Sequence, residues 1–149
     1  MRVGCVQARF GGTPIRSVMG VRIEAIDRAK LAKTDQEYLE LILSDADWIV
    51  RTPDDLRALR DTGQDPLSKL PDNDFREFVD GLTFKAGGVG GGSYKPLMYS
   101  LALTEIYEVF ERFGMSREYA LETHDSECIG GVRCEFSFFS FCPTSVCHH

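Results

Sequence analysis

Apolar residues recur at three- and four-residue intervals through most of the chain. After the polar opening TDQE at 34–37, Tyr38, Leu39, Ile42, Leu43, Ala46 and Ile49 fall on one helical face. TDQE has the form of a capping box, in which the Thr34 hydroxyl accepts from the Glu37 amide and the Glu37 carboxylate reaches back. TPDDLRALRDTG then predicts a second helix. Thr52 caps it, Pro53 takes the first helical position, Asp54 and Asp55 suit the positive end of the dipole, and Gly63 closes it in the left-handed conformation. DNDFREFVDGL predicts a third, with Asp72 or Asp74 as cap, Phe75, Phe78 and Val79 facing inward and Gly81 as the stop.

A different pattern follows. LTF reads as a short strand or an extended connection, and five glycines then occupy six positions: Gly87, Gly88, Gly90, Gly91 and Gly92. Such a run favours no single conformation, so the expectation is a flexible Gly-rich loop that acts as a hinge. It does not make a phosphate loop, because Lys95 comes late and is followed by Pro96. Helical periodicity returns in LTEIYEVFERFGMS, with Thr104 as cap, Ile106, Val109, Phe110 and Phe113 as the stripe and Gly114 as terminator. Ser116 caps a further turn through REYALE. The tail alternates, with Cys134, Phe136 and Phe138 on one side and Glu135, Ser137 and Phe139 on the other, which predicts a strand ending in the turn CPTSVC.

The fold expected is therefore mainly α. Short capped helices surround Tyr38, Leu39, Ile42, Leu43, Phe75, Phe78, Phe110 and Phe113, with a Gly-rich loop and a small β, Cys-rich element at the C-terminal end. The organisation reads as a mobile basic extension (1–18), an acidic helical region (19–86), the Gly-rich loop (87–96), a helical hairpin-like region (97–127) and a Cys/Phe-rich tail (128–149).

Charge sharpens this division. The chain of 149 residues carries a net charge of -6. Residues 1–33 hold seven Lys/Arg against two acids, whereas residues 34–80 hold thirteen acids against five bases. This balance argues against nucleic-acid binding, and the acidic helices suit a protein partner. No apolar run approaches a membrane span, and the basic opening lacks the apolar core of a secretory signal, so the expected location is cytoplasmic. That opening resembles a transit peptide in composition, with Met19 as an alternative start.

The chemistry concentrates in the tail. Four of the five cysteines, Cys128, Cys134, Cys142 and Cys147, fall in the last twenty-two positions, and Cys5 stands apart. A Cys128–His124 nucleophilic pair has i,i+4 spacing, but no neighbouring residue supplies an orienting group or an oxyanion site, so no enzyme is expected. Three readings of the tail stay open. His124, Cys128, Cys134, Cys142 and Cys147 offer soft ligands for a zinc or copper(I) thiolate site, or for a redox-responsive one. The cysteines also suit disulfides: Cys142 and Cys147 flank a Pro-containing turn, and Cys128 and Cys134 flank Gly130 and Gly131, although spacing fixes no pairing.

In the third reading the tail is a substrate. LILSDADWIVRTPDDLRALRDTG resembles leaders of the nitrile-hydratase-like type, in precursors of ribosomally made, post-translationally modified peptides. The matching positions are Asp45, Pro53, Leu56 and Gly63. Gly130-Gly131 resembles a double-glycine processing site. The resemblance implies that modifying enzymes bind the acidic helices, that the tail cysteines are modified, and that the product is exported after processing.

Overall fold

A computed structural model describes residues 23–149 of the chain. The basic extension, Met19 and Cys5 lie outside the described residues. Seven α-helices flank one antiparallel sheet among those residues. The helices are α1 (Asp35–Leu43), α2 (Pro53–Asp61), α3 (Asp72–Asp80), α4 (Lys95–Met98), α5 (Leu103–Phe113), α6 (Arg117–Thr123) and α7 (Thr144–Cys147). The strands are β1 (Thr83–Lys85), β2 (Gly88–Ser93), β3 (His124–Ile129) and β4 (Arg133–Phe141), in the order β1-β2-β4-β3. The fold is thus mixed α/β, which corrects the mainly α expectation.

The glycine run causes most of that correction. It is the inner strand β2, paired with β1 on one side and with β4 on the other through Gly92 and Ser93. A strand with almost no side chains carries no alternating pattern, so its period is invisible in the sequence. Its glycines serve close approach instead. A Cβ on Gly88 would stand 2.6 Å from Ile42 Cγ2, and one on Gly91 would stand 2.9 Å from the Phe141 carbonyl oxygen. Backbone and core meet here without room for a methyl group, and Gly88–Gly91 are buried. The Tyr38 hydroxyl donates to the Val89 carbonyl at 2.7 Å in the same buried layer.

Locally encoded helix ends form as expected in several places. Thr52 and Asp55 make a full capping box on α2, Gly114 ends α5 at φ +103°, and the Ser116 hydroxyl accepts from Tyr119 on α6. Others differ. Glu37 reaches past Thr34 to accept from the Lys33 amide at 2.8 Å. Helix α3 starts after Pro71 with no side-chain cap, so neither Asp72 nor Asp74 fills that role. Helix α5 begins at Leu103 rather than after Thr104, with Glu105 accepting from the Ala102 amide.

Helix α1 stops at Leu43, short of the stripe predicted to reach Ile49. Arg51 accounts for this end. Its guanidinium donates to the carbonyls of Ile42, Ser44 and Ala46, taking up acceptors that the last turn leaves free. It also reaches the Gly87 carbonyl at 2.8 Å and so ties the end of α1 to the glycine strand. Leu43 consequently faces solvent, while Ile49 enters the core from the separate Trp48–Val50 segment. Of the expected core, Tyr38, Ile42, Phe75, Phe78, Phe110 and Phe113 are buried and Leu39 is partly so.

The Gly88 contact gives a direct test. Gly88→Ala should destabilise the domain by about 1–3 kcal/mol through overpacking against Ile42, measured by denaturant unfolding. A hinge at this position would tolerate alanine without loss.

Candidate functional site

Strands β3 and β4 form a hairpin whose turn is Ile129-Gly130-Gly131-Val132. Gly130 and Gly131 both have positive φ, +63° and +69°, and the Val132 amide bonds the Ile129 carbonyl at 3.0 Å. The double glycine thus has a backbone role, supplying a reversal that side chains disfavour. Cys128 and Cys134 lie directly opposite each other in the hairpin register. Opposed residues project to the same face, so the two stand side by side.

The chain after β4 folds back over that face. Phe141 and Val146 are fully buried, and the Ser145 hydroxyl donates to the Asp35 carbonyl, which docks α7 beside α1. Cys142 and Cys147 are thereby laid over the hairpin. The disulfides join Cys128 to Cys147 and Cys134 to Cys142, with Cα separations of 5.7 and 5.9 Å. These pairings replace the sequence-adjacent ones, Cys128 with Cys134 and Cys142 with Cys147. Each hairpin cysteine takes its partner from the overlying segment.

Three of the four sulfurs, those of Cys128, Cys142 and Cys147, lie within 4.8 Å of one another, and Cys134 is bonded to Cys142. Cys142 and Cys147 are buried, whereas Cys128 and Cys134 are half-buried. His124 does not join this group. It opens β3 four residues from Cys128, roughly 13 Å along an extended chain, and its ring turns to Asp125 at 3.6 Å. The structure therefore gathers the four cysteines and leaves His124 out.

A second cluster braces the hairpin where its register shifts between His124 and Ser126. Asp125 and Phe139 both have left-handed backbones, φ +56° and +65°. One Asp125 oxygen accepts from the Phe139 amide at 3.0 Å and from the Tyr94 hydroxyl at 2.8 Å. Those bonds, the Phe139 amide first, hold the Asp125 carboxyl below the usual carboxylate range. Burial and then the Asp125 carboxylate push the Tyr94 phenol up to about 12. Sequence reasoning missed this brace because Tyr94 and Asp125 lie thirty-one positions apart with no motif between them.

The leader-like positions do not form one surface. Asp45 and Gly63 are exposed, Pro53 is half-buried, and Leu56 is fully buried in the core. Among the described residues, no helix is long and apolar enough to cross a membrane. No family description, curated protein or solved structure matches the chain.

Two outcomes check this site. Proteolysis without reduction should release linked peptides joining Cys128 to Cys147 and Cys134 to Cys142, identified by mass spectrometry; a Cys128–Cys134 link would contradict the fold-back. The Asp125 brace should be acid-labile. Its folded pKa lies below the unfolded value, so its stabilisation is full above about pH 4 and lost as pH falls through the folded value. Hydrogen exchange at the Phe139 amide should speed up below pH 4 beyond the intrinsic acid dependence, whereas Asp125→Ala should be fast already at neutral pH.

Proposed function

We propose that this chain is a non-enzymatic, redox-responsive metal-thiolate domain. Oxidised, Cys128, Cys134, Cys142 and Cys147 form two disulfides; reduced, they hold one zinc or copper(I) ion. The observation that carries this reading is the convergence of the Cys128, Cys142 and Cys147 sulfurs within 4.8 Å, with Cys134 joined to the same group.

The donor set fits the metal. Four thiolates are soft ligands, and a tetrahedral zinc site with bonds of about 2.3 Å spaces its sulfurs by about 3.8 Å. The Cys142 sulfur lies within 4.8 Å of the bonded Cys128 and Cys147 sulfurs, and opening the two S–S bonds frees all four. Burial of Phe141 and Val146 supports a tail that works inside the domain rather than as a released product. Both residues flank the sulfurs in sequence, so their packing keeps the cysteines together after reduction. Two disulfides in one domain favour an oxidising environment for the clamped form.

The test uses the full chain reduced anaerobically with a phosphine that is then removed. Titration with cobalt(II), a spectroscopic stand-in for zinc, should show a saturable step at one ion per chain with the intense visible bands of a tetrahedral thiolate site. Cys128→Ser and Cys147→Ser should each abolish the one-to-one step, while His124→Ala should leave it unchanged. Circular dichroism alongside separates loss of binding from loss of fold. A folded, reduced chain that takes up no stoichiometric metal would sink the reading.

A further inference from the structure

Each disulfide joins a half-buried cysteine to a buried one, but the two differ in their surroundings. A trough of about 280 Å³ opens on the sheet between β1 and β3. Gly90, Gly91 and Gly92 of β2 form its floor, and Thr83 of β1 and Ser140 of β4 also line it. Cys128 also lines it. Cys128 is half-buried at this trough, while its partner Cys147 is fully buried. Access to one sulfur of the pair decides which atom a nucleophile meets first.

The departing sulfur is provided for as well. Lys85 Nζ donates to the Cys147 carbonyl at 2.9 Å, which holds a positive charge beside the residue whose thiolate would leave. A nearby ammonium lowers a thiol's basicity and makes it the better leaving group. Among the described residues no lysine or arginine bonds to Cys134 or Cys142; their side-chain neighbour is Thr144.

We propose that Cys128–Cys147 is the exchanging disulfide of this domain, opened by a small thiol that enters the glycine-floored trough and attacks Cys128 Sγ. The proposal rests on the redox-responsive reading above and identifies its point of attack. The thiol loses its proton to solvent and attacks as the thiolate. A new S–S bond joins it to Cys128, the Cys128–Cys147 bond breaks, and the bonding pair leaves on Cys147 Sγ, in the residue whose carbonyl Lys85 holds. A second equivalent of the same thiol attacks the mixed disulfide at the external sulfur. It releases Cys128 as a thiolate, with the external disulfide as the oxidised product. The fitting class is a small aliphatic thiol, which a trough of about 280 Å³ admits.

Cysteamine, a thiol bearing an ammonium group, is the probe. The oxidised full chain is treated with less than one equivalent, quenched in acid, alkylated with N-ethylmaleimide and mapped as peptides without reduction. The expected product carries cysteamine on Cys128 and the alkyl group on Cys147, at least about fivefold over any adduct on Cys134. Lys85→Met should slow labelling of Cys128 about fivefold and leave that of Cys134 unchanged. An adduct mainly on Cys134, or spread equally over both disulfides, overturns the proposal in the unaltered chain with no variant needed. Phosphine reduction opens both disulfides whichever reacts first. A chain that binds metal but is labelled on Cys134 therefore loses only the exchange proposal, and one labelled on Cys128 that binds no metal loses only the metal reading.

Discussion

Ile42 of α1 rests on the backbone of Gly88 at a distance that leaves no room for a Cβ, and the rest of the architecture is arranged around that contact. Strand β2 presents peptide groups rather than side chains to its neighbours. Helix α1 settles directly on it, Tyr38 bonds the Val89 carbonyl, and Arg51 joins the end of the helix to Gly87. Two residues further along the same face, Val146 of α7 lies 3.3 Å from where a Cβ on Gly90 would be. Strand β2 is therefore the thin layer on which a helix from the first half of the chain and the C-terminal turn both pack. Thickening it by single methyl groups would lift one or the other.

This thinness positions the cysteines. Because α7 lies close over β2 and beside α1, Cys147 comes down on Cys128, and Cys142 beside it reaches Cys134. The segment is held in two ways. Phe141 packs between Phe110 and Phe113, with ring centroids 4.9 and 5.8 Å away. The disulfides, closing loops of 19 and 8 positions, would each restrict the unfolded chain by about 3 kcal/mol if they acted alone. Since the aromatic and aliphatic anchors do not depend on oxidation state, opening the disulfides need not scatter the thiols. That combination of a redox-sensitive clamp and a redox-indifferent scaffold supports the proposed metal-thiolate reading. Lys85, reaching from β1 to the Cys147 carbonyl, then distinguishes one disulfide from the other.

How much of this was legible follows the range of the interactions. Helices α2, α3, α5 and α6 could be read because their signals are local: Pro53 at a first turn, Phe75 and Phe78 on one face, Gly114 at an end, Ser116 at a start. The end of α1 could not, since its carbonyls are taken up by Arg51, eight positions beyond the last helical residue. The strand β3 also escaped notice. HDSECI mixes polar and apolar residues at the edge of the sheet, and its pairing partner lies across the hairpin. The glycine run was misread for a related reason: glycine's freedom in isolation says nothing about the neighbours that restrict it.

The sequence by itself determined where α2, α3, α5 and α6 lie, the caps of α2 and α6, most of the aromatic residues of the core, the extended tail strand and the crowding of cysteines in the last twenty-two residues. All of these depend on side chains within a few positions of one another. Only the tertiary structure decided that the glycines form an inner strand, that Asp125 braces a bulge, that His124 stays away from the sulfurs, and which cysteine meets which. Those outcomes turn on distances between segments far apart in the chain. Such distances exist only once α1, β2 and α7 have closed on one another.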